Sequence, residues 1–306
     1  MTAYLTRRVV QALATIFCVL TIAFVLGRAS GKPAALLLTE GATAQQIDEL
    51  NERLGFNRPL LQQYGDFVAG IFRGDFGSSY RNPSVPAITL IAERLPATMS
   101  LALIAFVIGL ALAVSAALLI HILGSARLRA VFIWGGSLRQ SIPDFFFGVV
   151  IVLIFSVMLA ALPSLGFTGP LSYVLPVATI ATGQFVLYVR LLDSALTEQS
   201  GQDYVRTAYA RGKRHPAVVV TEMLPNALLP ILTMAGLNLA GLLGGTVIVE
   251  QVFAWPGLGE VLIGAVSNRD FAVVQAGLLV IAIIFIMVNV VVDVLYSVLD
   301  PRVKFS

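Results

Sequence analysis

Residues 203–230 read DYVRTAYARGKRHPAVVVTEMLPNALLP, a polar and basic segment between two long apolar runs. Only 12% of the 306 residues are charged, yet this segment holds four cations close together: Arg206, Arg211, Lys213 and Arg214. Short connections rich in Lys and Arg are typical of the cytosolic side of membrane proteins. The segment therefore predicts a cytosolic loop in a chain that crosses a bilayer.

The composition agrees with a membrane protein. The chain is 58% hydrophobic, with a mean hydropathy of +0.88, whereas a soluble domain is about 45–50% apolar and about 25% charged. The net charge of +3 is small and spread along the chain, so it gives nucleic-acid binding no support. The single cysteine, Cys18, excludes an intrachain disulfide and a cysteine zinc cluster.

Six apolar stretches are each near the ~20 residues that cross the hydrocarbon core. The first follows Arg7 and Arg8, but it is longer than the apolar part of a signal peptide and no small-x-small cleavage site follows it. We therefore expect it to be a retained helix. The predicted spans cover residues 9–28, 97–122, 141–162, 173–192, 227–250 and 273–297.

Cations in the short connections predict the orientation. The connection at 163–172 has no Lys or Arg, so we expect it on the outer side. Both termini and the basic segment are then expected in the cytosol, with residues 29–95 outside. The cytosolic cations beyond the basic segment are Arg7, Arg8, Arg127, Arg129, Arg302 and Lys304. The predicted organisation is an N-terminal tail and first helix (1–28), an outer segment (29–95) and a transmembrane domain (96–306).

The outer segment predicts two short helices. Apolar residues recur at helical spacing over 44–54, Thr43 is a suitable N-cap, and Gly55 can end the helix. A second helix is expected over Leu60–Phe72.

The basic segment also predicts a helix, a turn and a second helix. Residues 203–211 favour a helix, Gly212 permits the left-handed backbone that ends it, and Pro216 is tolerated in the first turn of the next helix. A short, braced element of this kind can seat in a groove on a partner and transmit rigid-body motion. The alternative is a merely solvated loop.

The spacing of this element resembles the "EAA" loop of bacterial binding-protein-dependent ABC importers, in which Ala-x-x-x-Gly (Ala208 to Gly212) stands twelve residues ahead of Leu-Pro (Leu224-Pro225). Four longer stretches resemble the dipeptide/oligopeptide/nickel permease family, in its first permease type with a long outer segment after helix one. These stretches are 53–80, 93–103, 249–275 and 291–304.

The resemblance implies the fold and the function. The fold would be an all-α integral membrane protein of the type I ABC importer kind, with about six transmembrane helices and a small helical periplasmic segment. The function would be that of a permease subunit that passes di- and oligopeptides by alternating access, although relatives also carry nickel, glutathione and opines. The location would be the bacterial cytoplasmic (inner) membrane.

The resemblance also implies partners and site residues. The partners would be a second homologous permease, two ATP-binding ABC subunits that hold ATP and Mg, and a periplasmic or lipid-anchored binding protein. The ATPase-coupling loop would be 203–225, with Arg206, Thr207, Ala208, Tyr209, Arg211, Gly212, His215, Leu224 and Pro225 as its contact residues. Two departures stand out: Arg206-Thr207-Ala208 replaces Glu-Ala-Ala, and Glu222 stands where an isoleucine is expected.

Catalytic, metal and cofactor sites are not predicted within this chain. It has no P-loop, and neither of its histidines, His121 and His215, is expected near a carboxylate or cysteine. Arg139 and Asp144 could pair with each other or with lipid headgroups. Polar side chains inside spans are costly in lipid, so three of them are candidates either to line a water-filled path or to bond between helices: Gln184, Asn238 and Asn289.

One alternative from another class remains, a stand-alone secondary transporter. It would require inverted repeats or coupling-ion carboxylates, and the sequence has no clear repeat and few carboxylates within spans. Small residues in span five let helices approach closely, which suits a packed subunit interface or a moving gate. They are Gly236, Gly241, Gly244 and Gly245.

Overall fold

The computed structural model describes residues 2–29, 38, 42–53 and 55–299, and helices dominate this part of the chain. The predicted all-α class is therefore confirmed. The α-helices in chain order are α1 Thr2–Ala29, α2 Ala44–Arg53, α3 Leu60–Phe72, α4 Ala87–Leu123, α5 Ala126–Gln140, α6 Asp144–Val152, α7 Val174–Ser200, α8 Asp203–Ala210, α9 His215–Val218, α10 Leu224–Val252, α11 Leu258–Ser267 and α12 Phe271–Leu299.

The long apolar helices match the expected number of membrane spans. Five are long and apolar enough to cross a bilayer, and two bent helix pairs raise the number to as many as seven. The predicted number, six, falls within this range, but the fifth predicted span, 227–250, is divided: one candidate span covers His215–Leu232, and the helix beyond it bends by 50° between Met234–Leu242 and Gly244–Val252. Residue 1 and residues 300–306, on which the cytosolic location of the termini depends, lie outside the described residues.

The third predicted span, 141–162, is not one straight helix. Helices α5 and α6 meet at an angle of 100°, and a π-helical turn, Leu153–Met158, follows α6. Pro143 explains the break, because it holds φ −56° and ψ 140° just before α6 begins, and the residue before a proline is driven out of the helical region. The prediction of a single span over 141–162 was wrong because it relied on the length of the apolar run and did not take Pro143 into account.

The two short helices expected within residues 29–95 are confirmed, with α2 and α3 over the expected ranges. Thr43 caps α2, because its Oγ1 accepts from the Gln46 N–H at 3.3 Å and its own N–H donates to Gln46 Oε1 at 2.9 Å. Gly55 has φ +73°, the left-handed value expected where a helix ends. Leu54, the last residue of the expected range, lies outside the described residues. Helix α11 was not expected within the connection 251–272.

The described residues divide into two compact units, the first drawn from residues 2–96 and 257–286 and the second from residues 97–256 and 287–299. In the first unit, Ile91, Leu258 and Ala276 are buried in its core. A buried carboxylate, Asp270, accepts hydrogen bonds from the Ser79 hydroxyl and the Tyr80 N–H. A polar anchor thus holds the turn that leads into α4.

The second unit carries the basic segment and its core extends into it. Tyr188, Leu192 and Leu196 of α7 are fully buried together with Ile231 of α10 and Ala113 of α4. Alanines on α4 have short side chains, which lets neighbouring helices approach closely. This core lies under the basic segment, whereas Ile180 and Val249, which line the cavity described below, belong to a second apolar cluster.

Of the four glycines expected to permit close packing, Gly236 is the one that has a described neighbour within 4 Å of an added Cβ. A methyl group there would overlap the Val292 side chain of α12, whereas Gly244 faces open space. We expect Gly236→Ala to destabilise the fold by about 1–3 kcal/mol through overpacking, and Gly244→Ala to be neutral or slightly stabilising. Thermal unfolding of the two purified variants in detergent checks this, and equal midpoints would contradict the packing role of Gly236.

Candidate functional site

The basic segment forms a rigid helix–turn–helix, which we call the loop element (residues 203–225). Helix α8 ends at Gly212, whose φ is +78°. The Gly212 N–H donates to the Tyr209 carbonyl at 2.9 Å, and the Lys213 N–H donates to the Ala208 carbonyl at 3.2 Å. This pair of bonds is the Schellman arrangement, which satisfies the carbonyls at a helix end.

One face of the loop element is built into the core of the second unit. Val205, Ala208, Val218, Val219 and Met223 are all buried in the same cluster as the apolar side chains of α7 and α10. Because five side chains are anchored, the element cannot move freely as a solvated loop would. The loop element is therefore attached to α7 and α10 through these side chains.

The other face of the loop element is exposed and basic. Its cations lie around the turn at Gly212, and Arg206 is 75% exposed. Tyr204, 36% exposed, donates to Gln199 Oε1 at 2.5 Å, and partial burial raises the pKa of its hydroxyl. Most of the predicted contact residues are exposed here, whereas Leu224 is half-buried and Ala208 is buried; the exposed ones are Arg206, Thr207, Tyr209, Arg211, Gly212, His215 and Pro225.

His215 connects the loop element to the end of α4. Its Nε2 lies 2.9 Å from the His121 carbonyl oxygen, and its Nδ1 lies 2.6 Å from the Tyr209 hydroxyl. A carbonyl can only accept, so Nε2–H donates to it, and in the neutral ring Nδ1 accepts from Tyr209. The His215 and Tyr209 rings also stack, with an interplanar angle of 12°.

His121 lies beside a carboxylate, contrary to the expectation from sequence. Its Nε2 is 3.1 Å from Asp193 Oδ1, and Arg129 Nη2 is 3.0 Å from the same oxygen. The three residues come from α4, α5 and α7, and 72 positions separate His121 from Asp193, so no local pattern signals the contact. The cluster fastens three helices directly behind His215.

Glu222, a departure from the family pattern, has a local partner. Its carboxylate accepts a hydrogen bond from Lys213 Nζ, and Thr221 Oγ1 lies 3.2 Å from the same oxygen. The ion pair joins the two arms of the turn. A charge at this position therefore braces the loop element where an apolar residue was expected.

A second candidate site is a polar cavity of about 270 Å³ in the second unit. It brings together two of the predicted path residues, Gln184 and Asn238. Tyr188 joins them, because its hydroxyl donates to Gln184 Oε1 at 3.3 Å and accepts from Asn238 Nδ2 at 3.2 Å. The residues around the cavity are Gln140, Asp144, Ile180, Gly183, Gln184, Leu187, Asn238, Gly241, Leu242, Gly245 and Val249.

The third predicted path residue lies elsewhere. Asn289, half-buried in α12, is not among the residues around this cavity. Sequence reasoning missed Tyr188, although a tyrosine one helical turn after Gln184 in an apolar span was the available signal. The roles of Gln184, Asn238 and Asn289 in transport stay predictions.

Arg139 and Asp144 form the expected pair across the α5–α6 break. Arg139 Nη2 donates to Asp144 Oδ1 at 2.8 Å and to the Thr179 carbonyl at 2.7 Å, and Arg139 Nε donates to Thr182 Oγ1 at 3.0 Å. The guanidinium also lies 3.8 Å from the centre of the Phe147 ring. The side chain of Arg139 is 10% exposed and that of Asp144 is 51% exposed, and Asp144 lines the cavity whereas Arg139 does not.

Several membrane spans, a polar cavity between helices and a braced basic loop element together define the membrane subunit of a transporter. The family described as "binding-protein-dependent transport system inner membrane component" matches residues 127–305, and the family of its N-terminal part matches residues 1–102. The chain belongs to this family, the permease subunits of ABC importers.

Relatives extend over the whole chain. A Brucella abortus (strain 2308) protein, provisionally named a peptide transport system permease, is 35% identical, covering 100% of both chains. The glutathione transport system permease GsiC of Escherichia coli K12 is 32% identical, covering 99% of both.

Solved structures support the fold. A chain of the inward-facing MetNI methionine ABC transporter matches with a TM-score of 0.56 and 17% identity, over 69% of this chain and 96% of that chain. Another crystal form of the same transporter gives a TM-score of 0.58 over the same shares.

Proposed function

We propose that this chain forms part of the translocation path of an ATP-driven importer for small peptides, glutathione among them. In this proposal it works with a second, homologous permease, two ATP-binding subunits and a substrate-binding protein. It would lie in the bacterial cytoplasmic membrane with both termini and the loop element in the cytosol. ATP and Mg would be bound by the partner subunits.

The loop element carries the proposal. It presents an exposed basic face to a partner while its apolar face is fixed among the membrane helices. His215 and the cluster behind it extend this attachment to α4. Closure of the ATP-binding subunits would push on the exposed face of the loop element. The helices around the cavity would then rock, so that the cavity opens alternately to the two sides of the membrane.

The choice of cargo rests on the names of the relatives and on the cavity. Relatives named for peptide and glutathione transport match along their entire length. The cavity combines amide and carboxylate groups with apolar side chains such as Leu187 and Leu242. Such a mixed lining suits a short peptide, which has polar ends and variable apolar side chains.

Reconstitution tests the proposal. We expect liposomes with the full complex to accumulate a labelled tripeptide only when ATP and the binding protein are present. Liposomes with this chain alone should show no flux above protein-free liposomes. Flux through the chain alone, driven by an ion gradient, would instead support a secondary transporter.

A further inference from the structure

The cavity of the second unit contains one ionisable side chain among neutral ones. Of the described residues that surround it, Asp144 alone carries a formal charge, beside the amides of Gln140, Gln184 and Asn238. The cavity of about 270 Å³ lies just below the usual range of about 300–1,000 Å³ for a whole ligand site. It has room for one end of a peptide.

Two features of the fold, a helix break and a facing glycine, determine the position of the Asp144 carboxylate. Pro143 breaks the helix so that Asp144 begins α6, where a negative side chain interacts favourably with the helix dipole. On the facing helix, Gly183 leaves the necessary space, because a Cβ there would stand 2.9 Å from Asp144 Oδ1. The carboxylate therefore rests against a bare stretch of α7 backbone.

The pairing of Asp144 with Arg139 leaves acceptor capacity. Arg139 contacts the carboxylate through one oxygen and directs its other donors to two backbone carbonyls and a hydroxyl, so the second carboxylate oxygen, Oδ2, is left as an acceptor. In the described part of the chain, Arg139 is the one donor seen on the Asp144 carboxylate, through Oδ1. A carboxylate has room for several donors, and this one is 51% exposed.

The amides around the carboxylate add further acceptors. Asn238 uses its Nδ2 to donate to Tyr188, which orients this amide and leaves its carbonyl as the acceptor for a ligand. An ammonium group has three donors and no acceptor, so a carboxylate with amide carbonyls is a matching environment. The free amino terminus of a peptide is such a group, and it is cationic at neutral pH.

We propose that Asp144, held by Arg139 and Gly183, forms a subsite that binds the amino-terminal ammonium group of the cargo. This inference rests on the proposed import of peptides and adds a determinant of specificity to it. Cargo with a free amino terminus should pass in preference to the same peptide with an acetylated one.

The test compares two labelled tripeptides that differ only in N-acetylation, with one binding protein in every arm. We expect Asp144→Asn, which keeps an acceptor for Arg139 but loses the charge, to reduce the ratio of free to acetylated uptake by about fivefold. Asp144→Glu should retain the preference. The control is Asp66→Asn, the same change at a 66%-exposed carboxylate that pairs with Arg58 outside this cavity, and it should leave the ratio unchanged.

A second variant covers the case in which Asp144→Asn does not assemble. Gly183→Ala retains every charge but displaces the carboxylate, and it should also lower the ratio. Uptake with an unchanged ratio in either variant would overturn the subsite and leave the importer intact. No ATP-dependent uptake of either peptide by the wild-type complex would overturn the proposed function itself, and the subsite with it.

Discussion

Gly212→Val is expected to lower peptide uptake by the reconstituted complex by about tenfold or more, or to prevent the ATP-binding subunits from co-purifying. Gly212 has φ +78°, and this left-handed backbone costs an L-residue about 1–2 kcal/mol and a β-branched one more. The added side chain would meet open space, so the effect would come from the backbone. The turn would rearrange, and uptake should fall by about tenfold or more, since 1.4 kcal/mol corresponds to tenfold.

Gly201→Val is the matched control for this experiment. Gly201 ends α7 just before the loop element, but its φ is −83° and the nearest atom to an added Cβ is 3.7 Å away. Valine fits that backbone, so uptake and co-purification should stay near wild-type values. Normal uptake together with normal co-purification in Gly212→Val would contradict the assignment of the loop element as the attachment to a motor.

Asp193→Ala is expected to destabilise the second unit more than the loss of an exposed ion pair would. Asp193 is 14% exposed and serves both His121 and Arg129. Its removal leaves Arg129 without the carboxylate it contacts, and breaking a buried pair is costly. Because Arg129 is 44% exposed, solvent offsets part of the loss, so we expect about 2 kcal/mol. Thermal unfolding of the purified complex measures it.

The control for Asp193→Ala is Asp203→Ala. Asp203 also faces an arginine, Arg206 at 3.7 Å, but its side chain is 97% exposed, and exposed pairs contribute little. The midpoint of thermal unfolding of Asp203→Ala should therefore stay at the wild-type value. Equal midpoints for the two variants would show that the cluster behind His215 does not hold α4, α5 and α7 together.

Asp193→Ala should also separate transport from ATP hydrolysis. The His215 contact to the His121 carbonyl depends on the place of His121 at the end of α4. If the C-terminal end of α4 is no longer held in place, motion of the loop element should displace α4 less. Uptake per ATP hydrolysed should therefore fall further than the amount of assembled complex does.

Much of this protein could be predicted because the decisive signals are local in the chain. The length of an apolar run determines whether a helix can span the bilayer. Gly212, Gly55 and Thr43 each determine where a neighbouring helix ends or begins, through the backbone conformation or capping at that position. The helix–turn–helix of 203–225 followed from such signals. The break in the third span also has a local signal, Pro143, but the prediction of one span over 141–162 followed the length of the apolar run instead.

Contacts between helices could not be predicted in the same way. The long helix α4 is apolar on all sides, so its sequence does not show which face meets which neighbour. The meeting of His121 with Asp193, and of Gln184 with Asn238 through Tyr188, depends on how helices rotate and pack. The sequence by itself determined the class of the protein, the approximate number of its spans and the helix–turn–helix of its loop element. Only the tertiary structure decided that Asp144 faces the cavity. This placement requires the α5–α6 break, and it also requires a glycine, Gly183, on α7 opposite the Asp144 carboxylate.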